Sequence, residues 1–316
     1  MKEFTCEVLF RPETPELAYL PECPYPDGSG RASWVAIQHG ADATSGSLNV
    51  YDFATGQNRS YPLNGRPGFA FPTNDPETFV LGLERRLQLF NLRTGDYTEL
   101  CPEVVDAGVQ GTIINDGVVF EDGLVFGCKD LGSAEAKAGL YLWRRADRKL
   151  IQLRSDQICS NGKVVDRDGD GFRLLDIDSP MRTVVAYRLD AQQAQLSGSR
   201  IVLDLRDDEA VPDGMVATPD GRGAIIAFYN PNPARWGEVR QYDLETGQMQ
   251  AVWRLPGSPQ ATCPQLVRVE GKVKLLATSA VENMPPDRQA SSPNAGCLFL
   301  GDTVFESLPA TPVFAL

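Results

Sequence analysis

Six short strand-like segments, each with an aromatic residue at its centre, recur along the chain. Successive aromatic residues are 39, 53, 44, 55 and 57 positions apart. These residues are Tyr51, Phe90, Trp143, Tyr187, Tyr242 and Phe299. A repeat of about 40 to 55 residues, built from short strands and tight turns, is typical of a β-propeller blade, which usually has four strands. Six repeats therefore predict six blades.

Three of these segments continue into a nearly identical turn that contains Thr-Gly. The turns span residues 53–57, 92–96 and 244–248. Glycine adopts positive φ without steric cost, so this turn indicates a hairpin between successive strands. A pair of β-sandwiches is the alternative all-β fold, but it would not require the turn to return at blade spacing.

Composition supports an all-β chain with a single domain. The 316 residues include 29 glycines and 23 prolines, and hardly any segment shows an apolar period of 3.6 residues. No shift in composition marks a linker. We therefore expect one six-bladed β-propeller domain over residues 1–316.

The charge balance restricts the class of partner. Thirty basic and 42 acidic residues give a net charge of −12, which argues against nucleic acid or an anionic membrane. A cation or a neutral small molecule fits better. No apolar run reaches the roughly 18 residues that span a bilayer, and the N-terminus does not resemble a signal peptide. We expect a soluble, cytoplasmic protein, whose oligomeric state the sequence leaves open.

Cysteine and histidine exclude several kinds of site. The seven cysteines are scattered and contain no CxxC pair, which favours buried thiols over disulfides or a zinc site. His39 is the only histidine. A mechanism that needs two histidines is therefore excluded within one chain.

Four stretches instead offer a side-chain oxygen just before an apolar strand, in what reads as a tight bend. Their oxygen-bearing residues are Glu22, Asn115, Asn161 and Asp213. If six blades circle an axis, we expect these residues to point at one another. Two carboxylates and two amides would present a charge of −2 to Ca²⁺, Mg²⁺ or Mn²⁺. Zn²⁺ is less favoured because neither His nor Cys is in the set.

These motifs resemble the senescence marker protein, regucalcin and gluconolactonase family of six-bladed propellers. The resemblance covers about residues 15 to 300. It is carried by Ile114-Asn115-Asp116-Gly117, Ser160-Asn161-Gly162, Pro212-Asp213-Gly214-Met215 and Gln260-Ala261-Thr262-Cys263. It implies a divalent metal, with Ca²⁺ as first choice, held by Glu22, Asn161 and Asp213. Asn115 would be a fourth ligand or a substrate contact.

The resemblance also implies a metal-dependent lactonase that acts on a small-molecule lactone or ester. A metal would polarise the lactone carbonyl, and Asp213 would deprotonate the attacking water, with Asp116 as the second candidate base. Trp236 follows the Asp213 segment in a proline-rich run that we expect to form a loop, where Trp236 would wall the substrate pocket.

The chain departs from the family pattern at Ile113. Sugar-lactone hydrolases of the family commonly carry Arg at this position to bind substrate hydroxyls. Ile113 cannot hydrogen-bond a polyol, so we expect a less polar lactone or ester. The departure also keeps open a second function, a non-catalytic calcium-binding propeller with a regulatory role.

Overall fold

The computed structural model describes residues 1–316 and consists mainly of β-strands. The strands, numbered in chain order, are β1 (Lys2–Thr5), β2 (Glu7–Phe10), β3 (Pro21–Pro26), β4 (Arg31–Ala36), β5 (Ser47–Asp52), β6 (Asn58–Pro62), β7 (Pro67–Pro72), β8 (Thr78–Leu83), β9 (Arg86–Asn91), β10 (Tyr97–Glu99), β11 (Thr112–Phe120), β12 (Gly123–Asp130), β13 (Ala138–Arg144), β14 (Lys149–Gln157), β15 (Ser160–Asp168), β16 (Gly171–Asp178), β17 (Thr183–Asp190), β18 (Gln195–Asp204), β19 (Val211–Ala217), β20 (Gly223–Tyr229), β21 (Trp236–Asp243), β22 (Met249–Pro256), β23 (Ala261–Val269), β24 (Lys272–Ser279) and β25 (Leu298–Asp302).

Helices are few and short. They are α1 (Pro15–Ala18), α2 (Pro286–Ser291) and one 3₁₀ turn (Ser179–Met181). No helix in the structure is both long enough and apolar enough to cross a membrane.

The strands form six sheets, and each sheet is one blade. Blades 1 to 4 consist of β3–β6, β7–β10, β11–β14 and β15–β18, while blade 5 contains β19–β22 with β1 and blade 6 contains β23–β25 with β2. Within every blade, strands that follow one another in the chain are hydrogen-bonded neighbours. The fold is therefore a six-bladed β-propeller, as the repeat predicts.

The six aromatic segments occupy equivalent places in this fold. Each lies in the third strand of its blade: β5, β9, β13, β17, β21 and β25. The Thr-Gly turns are hairpins to the fourth strand, and Gly56, Gly95 and Gly247 have φ of 69°, 76° and 70°. In the first turn, Asp52 Oδ1 accepts hydrogen bonds from two backbone N–H groups of the turn, each 2.9 Å long. The prediction that the Thr-Gly turns form hairpins is confirmed.

The chain divides into two compact units. Unit 1 comprises Met1–Pro67 and Asp208–Ala310 and contains blades 1, 5 and 6. Unit 2 comprises Gly68–Asp207 and Thr311–Leu316 and contains blades 2, 3 and 4. The prediction of a single domain over residues 1–316 stays a prediction.

In unit 1 the N-terminal residues add one strand to each of two blades that are distant in sequence. Strand β2 pairs antiparallel with β25 and supplies the fourth strand of blade 6. Strand β1 pairs parallel with β22, and Phe4 stacks on Trp253 with their ring centroids 5.2 Å apart. Trp253 is 1% exposed, in a core shared by strands of blades 5 and 6.

In unit 2 one hydrophobic core lies between blades 3 and 4. Phe120 of β11 and Phe172 of β16 meet edge to face, with their centroids 4.9 Å apart. Apolar residues from the second and third strands of both blades belong to the same cluster. The packing holds the first strands of the two blades, β11 and β15, in a defined position.

Candidate functional site

The four residues predicted as metal ligands all lie in the first strand of a blade, beside a β-bulge. The register shifts fall between Glu22 and Tyr25 in β3, between Ile114 and Asp116 in β11, between Asn161 and Lys163 in β15, and between Pro212 and Met215 in β19. The expectation of tight bends ahead of these strands is therefore wrong. A bulge inserts an extra residue into a strand and changes the direction of nearby side chains, which no turn signal reveals.

In unit 2, Asn115 and Asn161 contact each other directly. Asn115 Nδ2 donates to Asn161 Oδ1 and to the main-chain oxygen of Ser160, both at 2.9 Å. Asn161 Nδ2 donates to Ser179 Oγ at 2.8 Å. The two asparagines are 6% and 8% exposed. These bonds fix the orientation of both side-chain amides.

This orientation suits a hard cation. Both amide nitrogens are engaged with protein oxygens, and Asn161 Oδ1 accepts one hydrogen bond although a carbonyl oxygen has two lone pairs. Amide oxygens are ligands that Ca²⁺ and Mg²⁺ accept in proteins. The pair therefore fits the divalent metal that the sequence predicts.

In unit 1, Glu22 and Asp213 are two buried carboxylates, each 8% exposed. Glu22 Oε2 accepts a hydrogen bond of 3.1 Å from the backbone nitrogen of Cys23, whose φ is 48°. Burial raises the pKa of the Tyr229 phenol, and the nearby carboxylates of Glu282 and Asp213 raise it further. A buried carboxylate is stable only with compensating partners, such as hydrogen-bond donors or a cation.

The four predicted ligands are thus divided between the units, two carboxylates in unit 1 and two amides in unit 2. No group of three or more His, Cys, Asp or Glu side chains is arranged to hold a metal ion. The predicted set contains only two such side chains. That one cation binds Glu22, Asp213, Asn161 and Asn115 stays a prediction.

The predicted catalytic residue Asp116 is buried beside the Asn115 bulge. Its Oδ1 accepts a hydrogen bond of 2.6 Å from the backbone nitrogen of Gly117. Burial raises the pKa of Asp116, and the ammonium of Lys163 opposes this effect. Asp116 therefore interacts with the Gly117 backbone nitrogen and with the charge of Lys163. Its catalytic role stays a prediction.

The two remaining predicted substrate contacts lie on strands. Ile113 of β11 is 2% exposed. Trp236 is the first residue of β21 and pairs with Pro256, so its expected place in a loop is wrong. The guanidinium of Arg254 lies 4.7 Å from the centroid of its ring, within cation–π range. Their roles in substrate binding stay predictions.

Sequence reasoning missed two residues next to Asn161. Ser179 holds its amide, and the side chain of Lys163 is fully buried behind it. The available signal was a single lysine in the otherwise uncharged run Gly162-Lys163-Val164-Val165.

Comparison with known proteins identifies related sequences over most of the chain. A family model described as the SMP-30/Gluconolactonase/LRE-like region matches residues 20–281. L-arabinolactonase from Azospirillum brasilense is 28% identical over 252 residues, which cover 77% of this chain and 76% of that protein. A regucalcin from Danio rerio is 29% identical over 191 residues, covering 60% of this chain and 61% of that protein.

Solved structures share the fold. A calcium-binding protein, regucalcin, from Agrobacterium tumefaciens superposes with a TM-score of 0.79 at 22% identity, over 98% of this chain and 99% of that chain. A gluconolactonase from Xanthomonas campestris gives a TM-score of 0.64 at 14% identity, over 93% and 88% of the two chains. The family model spans well over half of the sequence, and the chain therefore belongs to the SMP-30/Gluconolactonase/LRE-like family.

Proposed function

We propose that the protein is a divalent-metal-dependent lactonase that opens a small lactone or related ester. Membership of a family that includes a gluconolactonase-type region, and similarity to an L-arabinolactonase, support this reaction class. The single structural observation that carries the proposal is the Asn115–Asn161 pair, two buried amides locked so that their oxygens can face a hard cation.

The proposal assigns one cation to oxygens of Glu22, Asp213, Asn161 and Asn115, with Ca²⁺ as first choice. When bound, the metal supplies Lewis-acid polarisation of the lactone carbonyl. The Asn115–Asn161 contact keeps the two amides in the orientation that coordination requires. Asp213 accepts the proton of the attacking water.

The residue type at position 113 favours a substrate of low polarity. The side chain of Ile113 offers no hydrogen-bonding group, at the position where sugar-lactone hydrolases of the family commonly carry Arg. A buried site built to bind a polyol needs polar groups to pair with the hydroxyls, since unpaired polar groups cost free energy on binding. The substrate is therefore a lactone with few hydroxyl groups.

The test is hydrolysis of a lactone panel by protein freed of metal with a chelator and then given Ca²⁺, Mg²⁺, Mn²⁺ or Zn²⁺ separately. The panel contains sugar lactones and alkyl-substituted lactones of the same ring size. We expect no turnover without metal, recovery with at least one ion, and preference for the alkyl lactones. Hydrolysis that persists without metal would contradict metal dependence. Cation binding without turnover of any lactone would favour the non-catalytic calcium-binding propeller.

A further inference from the structure

Unit 2 contains a fully buried lysine directly behind Asn161. The side chain of Lys163 is 0% exposed and that of its cross-strand partner Asp176 is 3% exposed. Lys163 Nζ lies 3.3 Å from Asp176 Oδ1. A buried ammonium is costly unless it is paired and hydrogen-bonded, so this arrangement requires a specific reason.

Asp116 is a second carboxylate near this lysine, because it pairs across the strands with Gly127, which lies beside Lys163 Nζ. Burial raises the pKa of Asp116 and of Asp176, and in each case the charge of Lys163 is the largest effect that lowers it. Space for the ammonium comes from Gly127 of β12, where a Cβ would lie 3.2 Å from Lys163 Nζ. The cluster of Lys163, Asp116 and Asp176 thus connects the first strands of blades 3 and 4 within unit 2.

Lys163 also spans the bulge of β15. Asn161 pairs with Ile177 and Lys163 pairs with Asp176, so Gly162 is the extra residue between them. Lys163 Nζ donates a hydrogen bond to the main-chain oxygen of Asn161. A bulge disrupts the ladder locally, and backbone oxygens there need other donors. The lysine supplies one such donor at the residue whose side chain forms the amide pair.

We infer that Lys163 is a positioning residue, which holds the β15 bulge so that Asn161 Oδ1 stays against Asn115 and faces the cation. The effect on the cation rests on the proposed function, whereas the effect on the Asn115–Asn161 contact does not. Asp176 and Asp116 serve to hold the lysine side chain in the interior. The bulge itself is set by the single extra residue Gly162.

The test uses the double variant Lys163→Met/Asp176→Asn, which removes both charges of the ion pair at nearly constant volume. Replacing the lysine alone would leave a buried carboxylate without its partner and could unfold the protein. The matched control is Arg173→Met/Asp166→Asn, because Asp166 and Arg173 form a 2.7 Å ion pair across the same two strands, towards the opposite end of the hairpin. If the double variant does not fold, adding Asp116→Asn removes the remaining charge of the cluster.

Two quantities are measured, the affinity for Mn²⁺ by titration calorimetry and the Asn115 Nδ2 to Asn161 Oδ1 distance in a crystal structure. We expect Mn²⁺ affinity to fall about 10- to 100-fold, as for other groups that orient a metal ligand. The distance should also increase from 2.9 Å beyond hydrogen-bonding range. The control should change neither quantity.

An unchanged distance together with unchanged Mn²⁺ affinity would overturn the inference and leave Lys163 a purely structural residue. If the parent protein binds none of Ca²⁺, Mg²⁺, Mn²⁺ and Zn²⁺, the proposed function fails, and the distance alone then decides the positioning role. If Mn²⁺ binding weakens as expected but no lactone is hydrolysed, the positioning role stands and the lactonase proposal fails.

Discussion

Asn115 Nδ2 donates a 2.9 Å hydrogen bond to Asn161 Oδ1, joining two residues 46 positions apart in the chain. Each residue lies at a bulge in the first strand of its own blade. The contact brings together two of the side chains for which the sequence predicts a metal-binding role. Substitutions that alter this contact are therefore expected to change cation binding and lactone turnover.

Asn161→Asp should tighten binding of a divalent cation and slow lactone turnover. The new carboxylate keeps an acceptor for Asn115 Nδ2 and adds a negative charge, which strengthens cation binding but makes the metal a weaker Lewis acid. Calorimetry with Ca²⁺ and the turnover number at saturating metal measure the two effects. The control Ser179→Ala removes the hydrogen bond to Asn161 Nδ2 without changing charge. Equal effects of both substitutions would show that the charge is not the cause.

Asp213→Asn should reduce turnover far more than it weakens metal binding. Asn retains the size and one oxygen ligand but cannot accept the proton of water, and a lost general base costs roughly 10² to 10⁴ in rate. The turnover number on the best lactone measures this at saturating metal. Asp287→Asn, at an exposed position of α2, is the charge-matched control. Parent-like turnover in a folded Asp213→Asn protein would remove Asp213 as the base.

Gly127→Ala should destabilise the protein because of a close contact and not because of backbone conformation. A Cβ on Gly127 would lie 2.0 Å from Ser160 Oγ and 2.3 Å from Ser160 Cβ. Such overpacking typically lowers the free energy of unfolding by about 1 to 3 kcal/mol. Urea unfolding measures this loss. Adding Ser160→Gly removes both contacting atoms. The loss in free energy of unfolding in the double variant should therefore be smaller than the sum of the losses in the two single variants.

Asp130→Asn should destabilise the protein near neutral pH and have progressively less effect in acid. Asp130 Oδ2 accepts backbone hydrogen bonds from Ala134 and Glu135 at 3.1 and 3.0 Å, and these bonds hold its pKa well below the ordinary 3.8. A depressed carboxyl pKa contributes stability that is fully present above the unfolded value and is lost as pH falls towards the folded value.

The measurement is the difference in free energy of unfolding between the parent and Asp130→Asn at pH 7, 5, 4 and 3.5. The difference should be constant from pH 7 to 5 and should shrink below about 4, where the unfolded carboxyl takes up a proton. The exposed Asp168→Asn serves as control. A difference that grows as the pH falls would contradict this account of Asp130.

Much of the architecture was accessible from local patterns. Strand alternation and Thr-Gly turns depend on residues close in sequence, so the aromatic segments identify the third strand of all six blades. The fourth strand of blade 6 was not accessible in this way, because β2 lies almost 290 residues from β25 and nothing local specifies their pairing. The bulges were equally hidden, since one extra residue leaves no distinct composition.

The sequence by itself determined the fold class, the number of blades and the oxygen-bearing residues at Glu22, Asn115, Asn161 and Asp213, because period, turn chemistry and residue type are properties of short segments. Only the tertiary structure decided that Asn115 meets Asn161, that Gly127 must lack a side chain, and that Lys163 lies buried against Asp176. These facts depend on how closely blades 3 and 4 approach each other. That distance is set by packing between segments far apart in the chain, and no single segment encodes it.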